Sequence, residues 1–215
     1  MLAALKTYAR GKGERGKSTW TPVPQVVDAL DGAFYASFGN VEPTGKRWLL
    51  ALDVSGSMGM GTVSGVPGLT PRVASAAMAL ITAATEQHHA FLGFAHELIP
   101  LAISPRQRLD DVVAAITSIP FGGTDCALPM VWATQHKAKV DVFVVYTDSE
   151  TWFGQIHPMQ ALAQYREKMG IRAKLIVVGM TSNGFSIADP DDAGALDVVG
   201  FDSAVPSVMA DFVRA

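Results

Sequence analysis

Several short apolar runs in this chain stop abruptly at oxygen-bearing side chains, and that pattern admits few folds. Residues 47–54 read Arg-Trp-Leu-Leu-Ala-Leu-Asp-Val before Ser55-Gly56-Ser57 takes over. Residues 140–146 are strongly apolar and end at Thr147-Asp148, and residues 173–178 form a further apolar run. Runs of this length without polar alternation fit strands buried on both faces. Between them the period becomes helical. Val26, Val27, Leu30, Phe34 and Phe38 form one such series; Val73, Ala76, Ala77, Leu80, Ile81 and Ala84 a second; Leu109, Val112, Val113 and Ile116 a third. Thr70-Pro71 supplies an N-cap and a first-position proline for the second helix, which is expected to end near His88-His89. Further helices are expected through Met130, Val131 and Ala133, over 158–169 and over 205–213, with a last short strand at 196–201. Strands alternating with helices predict an α/β fold, a mostly parallel sheet covered on both faces. Residues 90–94 and 97–102 are too close together for a crossover helix, so they are expected to form an antiparallel hairpin.

The chain has 215 residues, 49% of them hydrophobic and 17% charged, enough apolar material for one ordinary α/β domain and too much for a disordered chain. The net charge of -3 excludes a chain that is basic throughout, as nucleic-acid binders often are. Charge is uneven, however. Residues 1–20 carry Lys6, Arg10, Lys12, Arg15 and Lys17 against Glu14 alone. Gly11, Gly13 and Gly16 punctuate this segment and argue against a helix, so residues 1–22 are expected to be a solvated basic leader, or alternatively an arm contacting phosphates through Lys12, Arg15 and Lys17. Residues 23–215 then form the domain, beginning with a helix. Cys126 is the only cysteine, which excludes an intrachain disulfide and cysteine-rich zinc sites. With no signal-peptide core and no apolar stretch long enough to span a bilayer, a cytoplasmic, monomeric protein without membrane association is expected.

The chemistry concentrates at three strand or loop ends. Asp53, Ser55 and Ser57 stand at alternate positions directly after a buried strand, where ligand sites of open α/β sheets form. Thr147-Asp148 ends another such strand, and Thr124 lies in the Gly122-Gly123 loop. Together, Asp53, Ser55, Ser57, Thr124 and Asp148 offer two carboxylates and three hydroxyls. These hard oxygen donors suit one divalent cation, Mg²⁺ or Mn²⁺ before Zn²⁺. Two carboxylates a few ångströms apart repel one another unless a cation joins them. Gly56 and Gly59 are expected to permit the turn.

Asp53-x-Ser-x-Ser, a loop threonine and a later strand-end aspartate resemble the metal-ion-dependent adhesion site of von Willebrand factor A domains. That resemblance covers about residues 45–215. It implies a Rossmann-like central sheet whose hairpin strand is the single antiparallel edge. It also implies that Ser55, Ser57 and Thr124 bind the ion directly, with Asp53 and Asp148 bound directly or through water. Longer stretches are more specific. Val41-Glu-Pro-Thr-Gly-Lys-Arg47, Gly122-Gly-Thr-Asp-Cys-Ala-Leu-Pro-Met-Val-Trp-Ala133 and the segment from Gly179 to Asp192 resemble the Ro autoantigen family of TROVE-module RNA-binding proteins, and residues 12–20 resemble the segment preceding its A domain. That family binds small noncoding Y RNAs and misfolded RNA ends through a ring of helical repeats, which this chain lacks. The resemblance therefore implies a noncatalytic A domain whose ion accepts an acidic group from a partner protein, with RNA bound mainly by the ring. The Gly-rich stretch 59–68 departs from the family in being longer beside the metal.

Two other readings remain. One is a general A-domain adaptor without an RNA role; the other is a Mg²⁺-dependent hydrolase using Asp53, which would want a general acid where Ser55 stands. A serine hydrolase fails because Ser55, not glycine, lies two residues before Ser57, and no P-loop is present. His88, His89, His96, His136 and His157 form no ligand pattern. Cys126 is expected to pack beneath the Thr124 loop. Glu150 is either an outer partner of the ion or a solvated charge. Asp189, Asp191 and Asp192 read as a turn and helix cap before a second cation site.

Overall fold

A computed structural model describes residues 1–14, 16–119, 122–148, 154–181, 184 and 186–215. The apolar runs form strands β1 (Arg47–Asp53), β2 (His88–Phe94), β3 (Leu98–Leu101), β4 (Val142–Thr147), β5 (Lys174–Gly179) and β6 (Ala195–Val199). They make one sheet in the order β3-β2-β1-β4-β5-β6. All neighbours are parallel except β2 and β3, whose antiparallel pairing sets Phe91 opposite Leu101 and Phe94 opposite Leu98. The expected single antiparallel edge is therefore present.

The strands are apolar throughout because both faces are buried. On one face Trp48, Leu50 and Leu52 of β1 join Val144 and Tyr146 of β4. Leu49 and Ala51 point the other way, with Phe143, Val145 and Leu175. Helices α2 (Pro24–Ala36), α3 (Pro71–Thr85), α4 (Leu109–Thr117), α5 (Leu128–Gln135), α6 (Pro158–Met169) and α7 (Val205–Arg214) match the expected helical segments. Thr70 caps α3 by accepting a bond from the Val73 N–H at 3.4 Å. Cys126 is buried among Ala127 and Met130 on the second face. Asp189 accepts from the Asp191 N–H and Asp192 from the Gly194 N–H, so these aspartates build a turn, although β6 and not a helix follows it.

Two expectations are corrected. The basic leader is not solvated throughout: Leu2–Arg10 forms helix α1, and Leu2 and Leu5 are buried against Phe34 and Phe38. Its glycines end this helix instead of preventing it, since Gly11 takes the left-handed C-cap conformation (φ 71°). Helix α3 stops at Thr85, and His88-His89 open β2 instead of closing a helix. The turn expected at Gly56 and Gly59 is present as the short 3-10 helix Gly56–Gly59, formed without positive φ at either glycine. Gly59 serves by lacking a side chain, because a Cβ there would stand 3.0 Å from the Arg72 guanidinium.

Candidate metal centre

The chain runs outward from β1 through β2 to β3, and from β4 through β5 to β6. The boundary between β1 and β4 is thus the point where strand order reverses, and the crevice beyond the carboxyl ends of such strands is the usual ligand site. Register brings the two ends level: Leu52 pairs with Tyr146, so Asp53 and Thr147 follow side by side.

Asp53 is fully buried. One carboxylate oxygen accepts from the Ser55 N–H at 2.8 Å, and the other accepts from the Thr147 hydroxyl at 2.8 Å. The first bond bends the chain out of the strand. The second ties β1 to β4. From there a chain of oxygens leads outward: Ser55 Oγ lies 3.0 Å from Ser57 Oγ, and Ser57 Oγ donates to Asp148 at 3.1 Å. Four of the five expected ligands are therefore joined through side-chain and backbone hydrogen bonds. Thr124 is half-buried on the neighbouring loop, which the Asp125 N–H docks onto the Ala95 carbonyl just after β2 (3.1 Å). Among the described residues, Thr124 makes no hydrogen bond to the other four. Glu150 lies outside the described residues.

The electrostatics are those of carboxylates short of positive charge. Burial pushes the Asp53 carboxyl above its ordinary range, against the lowering effect of bonds from Ser55 and Thr147. Burial raises Asp148 as well, opposed by Ser57 and by the charge of Arg72. Desolvation of this kind penalises the ionised form, and a cation would reverse the penalty.

Arg72 was not foreseen from sequence. Its Nη2 donates to the Ser55 carbonyl at 2.9 Å and its Nη1 to Thr117 at 3.4 Å, which holds the serine loop against α3. A signal for it existed, since an arginine in the first turn of a helix opposes the helix dipole and calls for another reason to be there. Thr147 is legible from sequence as an oxygen donor, but its bond to Asp53 is not. The Gly-rich loop beside the site is packed, with Val63 and Leu69 buried, the Val63 N–H bonded to Leu69 O and the Ser64 N–H bonded to Met180 O.

The donor set fits a hard divalent cation. Among the described residues, no group of three or more His, Cys, Asp or Glu side chains is placed to hold a metal, so a softer thiolate or imidazole site is not offered. In an octahedron of oxygens about 2.1 Å from Mg²⁺, adjacent ligands stand about 3.0 Å apart. The Ser55–Ser57 and Ser57–Asp148 oxygen separations of 3.0 and 3.1 Å already have that spacing.

The proposed phosphate-contacting leader residues lie elsewhere. Lys12 and Lys17 are exposed after α1, where Lys12 bridges Thr19 and the Trp20 N–H closes the loop onto Gly11 O. Arg15 lies outside the described residues. No described helix is long and apolar enough to cross a membrane.

Comparison with known proteins agrees with this architecture. The chain is 58% identical over 213 residues to the RNA-binding protein RO60 of Deinococcus radiodurans, covering 99% of this chain and 40% of that protein. It is 46% identical to the RNA-binding protein RO60 of Caenorhabditis elegans, covering 99% of this chain and 33% of the relative. The crystal structure of the Deinococcus radiodurans RO (RSR) protein superposes with a TM-score of 0.90 over 99% of this chain and 43% of that one. The chain thus spans less than half the length of these relatives. Residues 47–213 match the Ro60 vWA domain family, and on that match and these identities the chain belongs to it.

Proposed function

We propose that this domain is a noncatalytic binding module in which one Mg²⁺ or Mn²⁺ ion, held by Asp53, Ser55, Ser57, Thr124 and Asp148, accepts an acidic group from a protein partner. The observation that carries this reading is the line that runs from buried Asp53, through the Ser55 N–H it accepts, to the Ser55, Ser57 and Asp148 side-chain oxygens, which stand at ligand spacing, with both carboxyls raised by burial. A bound ion would supply Lewis acidity and an exchangeable coordination position. The chain's own residues do the rest. Asp53 fixes the turn, the hydroxyls add donors without adding negative charge, and Arg72 keeps the loop in place.

A noncatalytic role is favoured because both Asp53 oxygens are engaged, by the Ser55 N–H and the Thr147 hydroxyl, which leaves a poor nucleophile. Ser55 also stands where a general acid would be needed. The relatives are named RNA-binding proteins, and this domain matches only 33–40% of their length. We assign the main RNA-binding role to the remainder of such proteins, with the domain recruiting a partner in the cytoplasm.

Titration calorimetry with MnCl₂ tests the metal. Wild type should bind one ion, and Asp53→Asn should lose the heat; equal heats in both overturn the reading. Relaxation of water by bound Mn²⁺ should then fall as a glutamate-rich peptide is added and displaces a coordinated water. Turnover of p-nitrophenyl phosphate above the Asp53→Asn background would refute the noncatalytic assignment.

A further inference from the structure

The opposite edge of the sheet, where the parallel strands begin, carries a second constellation that the metal reading does not use. A groove of about 360 Å³ opens there between the starts of β1 and β2 and the C-terminal end of α5. Arg47, His88, Trp132 and Lys139 line it above Leu49 and Ala90, and no carboxylate does. The indole of Trp132 stacks on His136, with ring centroids 4.6 Å apart and planes 25° from parallel. Lys137 and Lys139 are exposed and, among the described residues, enter no ion pair. The nearby acids are already engaged: Asp141 pairs with Arg47, and buried Glu86 accepts the Thr44 and Gly45 N–H groups. Arg47, Lys137 and Lys139 bring three formal positive charges to this edge against two on Asp141 and Glu86, an excess opposite in sign to that of the chain as a whole.

The backbone adds a second observation. Helix α5 ends with the Ala138 N–H bonded to Ala133 O at 2.9 Å, and the residue between helix and loop, Lys137, has φ 53°. That position favours glycine, and Lys137 is the one non-glycine with positive φ among the described residues. A cation is thus kept where a residue without a side chain would suit the fold better, an outlier of the kind that points toward function. The following loop is also fixed. The Tyr165 hydroxyl accepts from the Val140 N–H at 2.7 Å and donates to Ala138 O at 2.8 Å, so Lys139 projects from a preset backbone.

We propose that this groove, lined by Trp132 and Lys139, together with the exposed turn of His136 and Lys137 that adjoins it at the end of α5, binds single-stranded RNA, with phosphates against Lys137 and Lys139 and a base packed on the Trp132–His136 stack. Cations beside an aromatic platform are what a single strand requires, and the stack distinguishes a base-bearing polyanion from an acidic peptide. The surface is separate from the leader lysines and from the metal centre.

Fluorescence anisotropy of a short labelled single-stranded RNA with the 215-residue chain, in chelator so that the metal reading is not involved, tests this. Lys137→Gly combined with Lys139→Gln should weaken binding about tenfold at low salt. It should also reduce the slope of log affinity against log salt by about 1.4, two contacts at about 0.7 each. His136→Ala should weaken binding at least threefold while leaving the slope unchanged, as expected of stacking. Lys137→Gly alone should melt at or above the wild-type temperature, which separates lost binding from lost fold. The proposal is overturned if the double lysine variant binds as wild type, or if Lys12→Gln with Lys17→Gln abolishes binding that the double variant retains. Equal displacement of the RNA by a glutamate oligomer of matched charge would assign the groove to acidic peptides and overturn it as well.

Discussion

At the C-terminal edge of the sheet Asp53 and Asp148 sit among hydroxyls, whereas at the N-terminal edge Asp141 and Asp192 sit against arginines. The four side chains are chemically identical and their environments push them in opposite directions. Burial raises the first two above the ordinary carboxylate range. Bonds from Arg47 lower Asp141. For Asp192 burial pushes upward, but bonds from Arg166 and the Gly194 N–H, with the arginine charge, outweigh it. A carboxylate whose counter-charge is built into the chain contributes to the fold. One that is desolvated mostly among neutral donors, with Arg72 offsetting only part of the penalty at Asp148, has room for a further positive charge.

Four experiments can break or sharpen this contrast. Both edges hang on the same central strands, so Leu50→Ala, at a fully buried position of β1, should destabilise the domain by about 3 kcal/mol in urea denaturation. A much smaller cost would mean that the edges do not depend on a common core. Next, Asp53→Asn should lower Mn²⁺ affinity about 100-fold. In chelator the same variant should gain stability relative to wild type as pH rises through the raised folded-state value of Asp53, because ionising that buried carboxyl costs the fold. That difference should shrink as pH falls through the raised folded-state value and vanish below the unfolded value of 3.8. Ser57→Ala, at an exposed position, should weaken Mn²⁺ about tenfold with little change in melting temperature. Unchanged affinity would remove Ser57 from the ligand set. Smallest of the four, Asp141→Asn should destabilise by about 1 kcal/mol at pH 7, since solvent screens the partly exposed Arg47. Its sign is opposite to that of Asp53→Asn: the wild-type advantage exists above 3.8 and fades as pH falls through the lowered folded-state value.

Much of this was legible in the residues. Apolar runs ending in Asp53 and in Thr147-Asp148 announced buried parallel strands and the edge where they would meet. The few residues between 94 and 98 announced the antiparallel hairpin. What escaped was set by tertiary contact. Leu2 and Leu5 have too few apolar companions to declare a helix, and only packing on Phe34 and Phe38 makes one. His88-His89 follow an alanine-rich helix that no glycine or proline ends, so local pattern alone extends the helix too far. The tie from Thr147 to Asp53 spans 94 positions and depends on strand order, which no local pattern encodes. Lys137 in a left-handed conformation was equally invisible, because lysine carries no signal for it.

Arg72 places a permanent guanidinium within electrostatic reach of Asp148 and in direct contact with the loop that carries Ser55 and Ser57. Withdrawal of a divalent ion therefore need not scatter these side chains, since part of the counter-charge and the scaffold of the loop stay behind. Occupancy of the proposed site would then come and go with the local supply of cation while the polypeptide keeps its shape. On the proposed function, attachment of a partner through that ion would then be a reversible event, set by ionic conditions and not by refolding.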